Sequence, residues 1–347
     1  MRCLLHIGLA KTGTSTLQES FAAGREVLLE HGILYPPFPV ANHSLLRVGL
    51  VEPHLWGRNL KVRARAEGPD RIRAEAQEAW EGVEATVRRL RPSLTIISGE
   101  GLAVLPEHAL IVLSNRLRAL FDQVKVVAYV REPASSYASW MQQKVLVSAE
   151  ITPPSDFILP AQRSLEGYKG VFEDVEVRAY DRRRLVGGCI VLDFLAHIPQ
   201  ASAAELKVLN ANTSISGPAM CVLQAYYRGS DLNAADVRRS GKLLLRGLRL
   251  TDDHRPPATL RPGIAPMLIA SHAGQFAWLR DTFGVEFDLI SAHVNAEPAG
   301  WKSDDLMEVL DVTKEQLDAA FAEAVGRLTQ GGNDVDHLLE VWRQKPG

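Results

Sequence analysis

The stretch Leu4–Gln18, LLHIGLAKTGTSTLQ, constrains the fold of this chain more than any other. Its apolar run from Leu4 to Leu9 predicts a β-strand, and Gly8, Gly13 and several small hydroxyl residues lead into a helical pattern. A strand, a glycine-containing turn and a helix N-terminus together aim backbone N–H groups at one spot, where the helix dipole favours negative charge. Lys11 adds a compact cation. The stretch therefore predicts an anion-binding turn.

The position of the lysine separates this turn from the Walker A loop, Gly-x4-Gly-Lys-Ser/Thr. In that loop the lysine directly follows the last glycine, whereas here Lys11 precedes Gly13. An ordinary strand-to-helix connection is the alternative interpretation of this stretch taken alone. The crowding of lysine, glycine and hydroxyl groups argues against that alternative.

A second polar motif follows a later apolar run, Val126–Val130. Arg131 comes directly after this predicted strand, and Pro133 suits the first position of a helix because its missing N–H would be unpaired there anyway. Ser139 lies about two turns into that helix. A guanidinium can grip phosphate oxygens and a hydroxyl can donate one further hydrogen bond. Either residue alone would be typical of an ordinary protein surface.

Together, HIGLAKTGTSTLQ and VREPASSYASW resemble the sulfotransferases that use 3′-phosphoadenosine-5′-phosphosulfate (PAPS), in their bacterial carbohydrate-modifying branch. The first loop of that branch commonly reads Pro-Lys-Thr-Gly-Thr-Thr, and here Ala10 and Ser15 replace a proline and a threonine. The resemblance implies that an arginine and a serine, Arg131 and Ser139, hold the 3′-phosphate. It also implies that the 5′-phosphate and the sulfuryl group are held by Lys11, Thr12, Gly13, Thr14, Ser15 and Thr16.

The resemblance covers about residues 1–216 and is faint beyond them. We therefore predict a PAPS-binding core over residues 1–216 and a largely helical region over residues 217–347, packed on that core or continuous with it. By the same resemblance, the loop Asn210–Ser214 is expected near the nucleotide. In the helical region, Thr313-Lys-Glu-Gln316 predicts a capping box that opens a helix.

Strands that alternate with helical patterns predict an α/β fold. We expect a P-loop-like, three-layer α/β/α architecture around a central, mostly parallel sheet. Four strands are predicted, and the first is followed by a single helix over Thr14–His31. Ligands sit at the carboxyl ends of parallel strands, so Lys11, Glu100 and Arg131 should meet at one edge of the sheet.

Two residues are candidates for the general base of a transfer reaction. Glu100 stands between glycines in Ser98-Gly-Glu-Gly, directly after a buried strand; a helix cap or an ion pair is an equal alternative to catalysis. His43 lies in a loop, rich in proline, that could overhang the active face. Most isolated histidines are structural or exposed, but the family frequently uses a histidine near this position and imidazole is a common base.

Composition limits the other function classes. The 347 residues carry a formal net charge of −2, so no global basic field indicates nucleic acid as a partner. Three cysteines lack metal-ligand or redox spacing and fit free thiols in a reducing compartment. The sequence begins almost at the first strand and has no run long enough to cross a bilayer. We expect a soluble, cytoplasmic protein that needs no metal; the sequence indicates no oligomeric state.

The predicted activity is transfer of a sulfuryl group from PAPS to a hydroxyl or amine of a carbohydrate or another small acceptor. In this hypothesis Lys11 stabilises charge on the leaving 5′-phosphate, and Glu100 or His43 takes the proton of the acceptor. Two alternatives stay open. A P-loop kinase or NTPase would carry a true Walker A loop and a magnesium-binding aspartate after a strand, and a non-catalytic nucleotide-binding protein would not need Lys11 for any activity.

Overall fold

A computed structural model describes residues 1–198, 206–209, 214–230, 235–252, 257–288 and 301–344. Contacts between Cα atoms divide the chain into two compact units. The first contains Met1–Glu132, Pro160–Asn212 and Gln275–Phe287, and the second contains Pro133–Leu159, Thr213–Gly274 and Asp288–Gly347. This division differs from a single boundary at residue 216, because Pro133–Leu159 belongs to the second unit and Gln275–Phe287 to the first; the predicted division into a core and a helical region stays a prediction. Asn210, in the loop expected near the nucleotide, lies outside the described residues.

The first unit is built on a five-stranded sheet with the order β2-β3-β1-β4-β5, in which every paired strand is parallel. The predicted α/β class with a central parallel sheet is therefore confirmed. The two-residue strand β2 was not predicted, because so short a strand has no periodicity to detect. The strands are β1 (Arg2–Ile7), β2 (Ile33–Leu34), β3 (Leu94–Gly99), β4 (Gln123–Val130) and β5 (Asp174–Ala179).

Helices connect the strands, and further helices follow the last strand. The first part of the chain contains α1 (Thr14–Ala23), α2 (Arg25–Glu30), α3 (Arg58–Glu67), α4 (Pro69–Leu90), α5 (Glu107–Arg118), α6 (Pro133–Val145), α7 (Ala161–Val171) and α8 (Ile190–Ala196). The remainder contains α9 (Gly217–Arg228), α10 (Ala235–Thr251), α11 (Ile264–Ser271), α12 (Ala273–Phe283), α13 (Leu306–Val309), α14 (Lys314–Gln330) and α15 (Asp336–Arg343). The helix predicted over Thr14–His31 is two helices, because the chain breaks at Gly24.

Both faces of the sheet are covered. Side chains alternate between the two faces of a strand, and all five residues from Val126 to Val130 in β4 are buried. On one face, Leu17 and Phe21 of α1 and Phe194 of α8 share a core cluster with strand residues such as Tyr129. Helices α5 and α7 contact β4 and β5. The central strand β1 is therefore paired on both sides and lies within the covered sheet, so its carboxyl end has a defined position.

The second unit is helical in the described residues. Its core is one apolar cluster contributed by α6, α9, α10, α11, α13, α14 and α15. The predicted capping box at the start of α14 is confirmed, since the Thr313 hydroxyl accepts from the Gln316 N–H and the Gln316 side chain accepts from the Thr313 N–H. Within the described residues no helix combines the length and apolar character that crossing a membrane requires.

Candidate functional site

The strand order brings three polar strand ends to one edge of the first unit. Strand β1 is central and pairs with β3 on one side and β4 on the other. Lys11 follows β1, Glu100 follows β3 and Arg131 follows β4, so all three lie at the carboxyl edge of the sheet. The Nη1 atom of Arg131 donates a hydrogen bond to the Lys11 carbonyl at 3.2 Å. In an open parallel sheet, this edge is where ligands bind.

The turn after β1 has an unusual backbone. Lys11 has a φ of +67° and Gly13 a φ of +74°, so two left-handed residues flank Thr12. Glycine adopts this region freely, but in lysine the Cβ approaches the backbone closely, which costs about 1–2 kcal/mol. The Thr12 hydroxyl donates to the Leu9 carbonyl at 2.8 Å and holds the turn closed. Backbone strain of this kind concentrates at functional sites.

Helix α1 begins with unpaired donors. Its N-cap residue is Gly13, which has no side chain to accept a hydrogen bond from the first turn. The first helical bond runs from the Leu17 N–H to the Gly13 carbonyl at 3.2 Å. The preceding N–H groups, those of Thr14, Ser15 and Thr16, therefore have no partner within the helix. With the helix dipole behind them, these donors favour an anion at the end of the helix.

Two glycines allow the close packing around this turn. A Cβ on Gly8 would lie 2.5 Å from Thr14 Cγ2 and 3.0 Å from Glu100 Cγ, closer than side chains tolerate. A Cβ on Gly13 would lie 3.0 Å from the Tyr180 ring. Gly8 thus lets the Glu100 side chain approach the start of α1, and Gly13 lets Tyr180 cover the turn.

Charges in the site influence one another. Burial lowers the pKa of Lys11 to about 8; the nearby Glu100 carboxylate opposes this shift and Arg131 adds to it. Surrounding protein atoms raise the pKa of Glu100, while Lys11 opposes that increase. The Glu100 side chain itself is exposed. The site therefore holds a lysine with a lowered pKa beside an accessible carboxylate.

Tyr180 is a site residue that the sequence prediction missed. It follows β5, and the Arg131 guanidinium lies over its ring, with Cζ 5.5 Å from the ring centre. The Tyr180 N–H donates to the Val130 carbonyl at 2.7 Å. Burial lowers the pKa of Arg131, and Tyr180 opposes the shift. Its position at the carboxyl end of a strand next to β4 was the signal that could have identified it.

Ser139, the predicted partner of Arg131 in holding the 3′-phosphate, lies on α6 and belongs to the second unit. Its side chain is partly exposed. Helix α6 begins at Pro133, as predicted from the sequence. The joint role of Ser139 and Arg131 stays a prediction.

The His43 side chain is fully buried, and both of its ring nitrogens have hydrogen-bond partners. Nδ1 accepts from the Ser98 N–H at 2.9 Å, and Nε2 lies 3.0 Å from the Pro36 carbonyl. A carbonyl only accepts, so Nε2 carries the proton and the ring is neutral. Burial lowers the pKa of His43 to about 4, although the Pro36 bond opposes the shift. The imidazole of His43 is thus engaged in holding backbone groups.

His6 in β1 is a second buried histidine. Unlike His43, it was not identified from the sequence. His6 Nδ1 lies 2.8 Å from the Ser98 hydroxyl, which also accepts from the Gln18 amide at 3.0 Å. Burial lowers the pKa of His6 to about 3, and Arg178 adds to the shift. These groups form a polar layer beneath the candidate site. A histidine within an apolar strand gives no sequence signal for such a layer.

A cavity of about 830 Å³ lies at the other end of the strands. Its lining includes Arg2, Leu94, Gln123 and Asp174, which are the first residues of β1, β3, β4 and β5. It is therefore separate from the edge that carries Lys11. Several charged side chains in its lining are paired with each other, for example Lys125 with Glu176 at 2.8 Å.

No metal centre accompanies the candidate site in the described part of the chain, where His, Cys, Asp and Glu side chains form no group of three or more that could hold an ion. Comparison with family models, with curated proteins and with solved structures finds no match to this chain.

Proposed function

We propose that this protein is a sulfotransferase that moves a sulfuryl group from PAPS to a hydroxyl or amine of a carbohydrate or another small acceptor. The observation that supports this most is the turn Lys11–Gly13, where a lysine with left-handed backbone precedes the uncapped N–H groups at the start of α1. These groups suit a phosphate, and Arg131, which donates to the Lys11 carbonyl, supplies a second cationic group at the same edge of the sheet. The motifs of this region resemble those of PAPS-dependent enzymes.

The roles of the residues follow from the reaction. The acceptor oxygen or nitrogen forms a bond to sulfur while the bond between sulfur and the 5′-phosphate oxygen breaks, and 3′-phosphoadenosine-5′-phosphate leaves. Lys11 and the N–H groups of Thr14, Ser15 and Thr16 stabilise the charge that develops on the leaving phosphate. Arg131, with Ser139 as the resemblance implies, holds the 3′-phosphate. Thr12 and Gly13 keep the backbone of the turn in its binding shape.

The proton of the acceptor goes to Glu100 in this proposal. Its carboxylate is accessible, and Gly8 lets it approach the start of α1. His43 is the weaker candidate, because its Nδ1 lone pair already accepts from Ser98 and its ring is buried. A group that takes a proton in catalysis has to reach the acceptor within hydrogen-bond distance.

The first test is calorimetric titration of the whole chain with 3′-phosphoadenosine-5′-phosphate, beside AMP and ATP with magnesium. We expect binding that depends on the 3′-phosphate and persists without magnesium. Preference for ATP with magnesium would instead support a kinase or NTPase. Failure to bind any of the three nucleotides would remove the donor site and the proposed function with it.

A paired substitution separates the two candidate bases. Glu100→Gln should lower kcat by about 100-fold with the affinity for the desulfated donor unchanged, because a general base contributes roughly 10²- to 10⁴-fold. His43→Asn keeps an oxygen that can accept from the Ser98 N–H, so it should retain more than a tenth of the activity. A larger loss in His43→Asn than in Glu100→Gln would contradict Glu100 as the base, and near-normal turnover in both variants would place the base elsewhere.

We expect the acceptor to be a glycan or a small molecule and the protein to work in the cytoplasm. The cysteines of the chain, Cys3, Cys189 and Cys221, are free thiols, as is usual in a reducing compartment. The acceptor class rests on the resemblance to carbohydrate sulfotransferases. A panel of sugars and simple alcohols with radiolabelled donor would identify it.

A further inference from the structure

We propose that residues 43–47 form a clamp that fixes the turn carrying Glu100, with His43, Ser44 and Arg47 as positioning residues. We call this segment the 43–47 clamp. The inference rests on the proposed function for the role of Glu100 and deepens it by naming what holds the base in place.

On the strand side of the turn, the clamp bonds to Ser98, two residues before Glu100. The His43 N–H donates to the Ser98 carbonyl at 2.8 Å, and the Ser98 N–H donates to His43 Nδ1 at 2.9 Å. The opposite nitrogen of the ring, Nε2, donates to Pro36 and sets the ring orientation. Both backbone groups of Ser98 are therefore tied to one residue, which fixes the direction in which the chain leaves β3.

On the other side of the turn, Ser44 and Arg47 hold the residues after Glu100. The Gly101 N–H donates to the Ser44 hydroxyl at 3.1 Å. Arg47 Nη1 donates to the carbonyls of Gly101 and Val104, and its Nε and Nη2 donate to the Leu55 carbonyl at 3.2 and 2.9 Å. All of the acceptors of Arg47 are backbone carbonyls. The guanidinium thus serves to fix backbone geometry.

The glycines on either side of Glu100 are explained by this contact. A Cβ on Gly99 would lie 3.2 Å from the Ser44 nitrogen, and one on Gly101 would lie 3.0 Å from Ser44 Cβ. These distances are tighter than ordinary packing allows, so side chains at either position would push the clamp away. The clamp and the two glycines leave Glu100 as the side chain that the turn presents at the edge of the sheet.

The charged and titratable groups near Glu100 come from three elements. Lys11 faces it from the turn after β1, Arg47 lies on the clamp, and Tyr168 of α7 donates its hydroxyl to the Leu102 carbonyl. Surrounding protein raises the pKa of Glu100 more than Lys11 lowers it. A looser turn would move the carboxylate away from the protein atoms that raise its pKa, so its pKa should fall toward the ordinary value.

The test compares Ser44→Ala and Arg47→Met with a matched control, Arg63→Met. Arg63 is also an arginine of the first unit with several hydrogen bonds, but its partners are Glu67 and Glu75 and it does not touch the turn. We expect Ser44→Ala and Arg47→Met to lower kcat about tenfold or more, since misplacing a reacting group by an ångström can lower the rate about 100-fold. The affinity for 3′-phosphoadenosine-5′-phosphate should stay unchanged, and the acid limb of the kcat profile should move to lower pH. Arg63→Met should change none of these.

A second measurement does not depend on the activity. Carboxyl NMR titration of the whole chain without nucleotide, with the Glu100 signal assigned by its loss in Glu100→Gln, should show a lower Glu100 pKa in Ser44→Ala and Arg47→Met than in the parent chain. An unchanged titration in folded Ser44→Ala would overturn the clamp, and this single-atom deletion serves even where Arg47→Met does not fold. If the titration moves but the parent chain transfers no sulfuryl group, the clamp stands and the proposed function fails.

Discussion

The two units of the molecule bury different kinds of side chain. In the first unit, histidine, hydroxyl and amide groups are buried near the carboxyl ends of the strands: His6, Thr12, Thr14, Gln18, His43 and Ser98. In the second unit, the described core is an apolar cluster from seven helices, and its buried polar side chains are Ser136, Ser216, Gln224 and His272. The first unit thus contains many buried polar groups at one edge of its sheet, and the second contains few.

This difference separates residues whose precise positions affect activity from residues whose burial contributes to stability. A buried polar group left without a partner costs about 1–3 kcal/mol, so a connected set such as His6, Ser98 and Gln18 tolerates few alternative arrangements. Apolar packing is less directional, and the burial of apolar surface stabilises the folded state. Substitutions of accessible side chains at the edge of the sheet, which leave this buried set intact, should therefore change activity more than stability, and substitutions in the helical core should do the reverse.

The largest effect on activity is expected for Lys11→Ala. Loss of the ammonium group should lower kcat by about 10²- to 10³-fold, the usual loss when a donor that stabilises developing charge is removed. Stability should change little, because a partly buried ammonium is removed along with its desolvation. Sulfuryl transfer and thermal melting of Lys11→Ala and of Lys61→Ala, an exposed lysine on α3, provide the comparison. A folded Lys11→Ala variant with normal turnover would contradict the role of Lys11.

The reverse pattern is expected for Leu244→Ala in α10. Leu244 is fully buried in the core cluster of the second unit, so its truncation should lower the free energy of unfolding by about 2–5 kcal/mol. Leu250→Ala on the same helix is the control, since Leu250 is 54% exposed and its loss should matter by less than about 0.5 kcal/mol. Urea unfolding measures both variants. If folded Leu244→Ala bound the desulfated donor much more weakly than the parent chain, the proposed separation of stability from activity would be wrong.

Arg131→Ala should weaken binding of 3′-phosphoadenosine-5′-phosphate by about 2 kcal/mol, or roughly 30-fold, the typical loss of a hydrogen bond to a charged group. The loss should disappear for AMP, which has no 3′-phosphate. Arg118→Ala is the control, because Arg118 pairs with Glu173 and lines the cavity at the opposite ends of the strands. Calorimetry that showed equal losses for both nucleotides would assign Arg131 to the 5′-phosphate instead.

Much of the first unit could be predicted from its sequence, because buried parallel strands are continuous apolar runs. Four strands and the residues that follow three of them were located in this way, and strand order then placed Lys11, Glu100 and Arg131 at one edge. The break between α1 and α2 was missed because the apolar pattern continues through Gly24. The predicted end of the helix at His31 does lie just beyond α2, which ends at Glu30.

The site was harder to predict where it depends on contacts between distant parts of the chain. Tyr180 meets Gly13 and Arg131 only because β5 lies beside β4, and the local sequence around Tyr180 does not show which strand is its neighbour. His43 shows the opposite case, since its position in a loop indicated an accessible base and the structure buries it against Ser98. Residue type and spacing predicted the strand ends well, whereas the environment of a side chain depended on the tertiary structure.

The pH dependence of donor binding should be a smaller effect than the losses described above. It tests the contribution of the Lys11 charge without removing the side chain. The pKa of Lys11 is lowered to about 8, so raising the pH above this value removes its positive charge and weakens binding of an anion. The bound phosphate raises that pKa again, and by linkage the affinity should fall by as much as about tenfold per pH unit above pH 8. Lys11→Arg keeps its charge throughout this range and should show no such decline. The unfolded chain binds more protons at this lysine between pH 8 and its ordinary pKa of 10.5, so the contribution of Lys11 to the free energy of unfolding should rise with pH across that window. Titrations with 3′-phosphoadenosine-5′-phosphate at pH 7, 8 and 9 measure the first effect, and an equal decline in Lys11→Arg would assign the titration to another group.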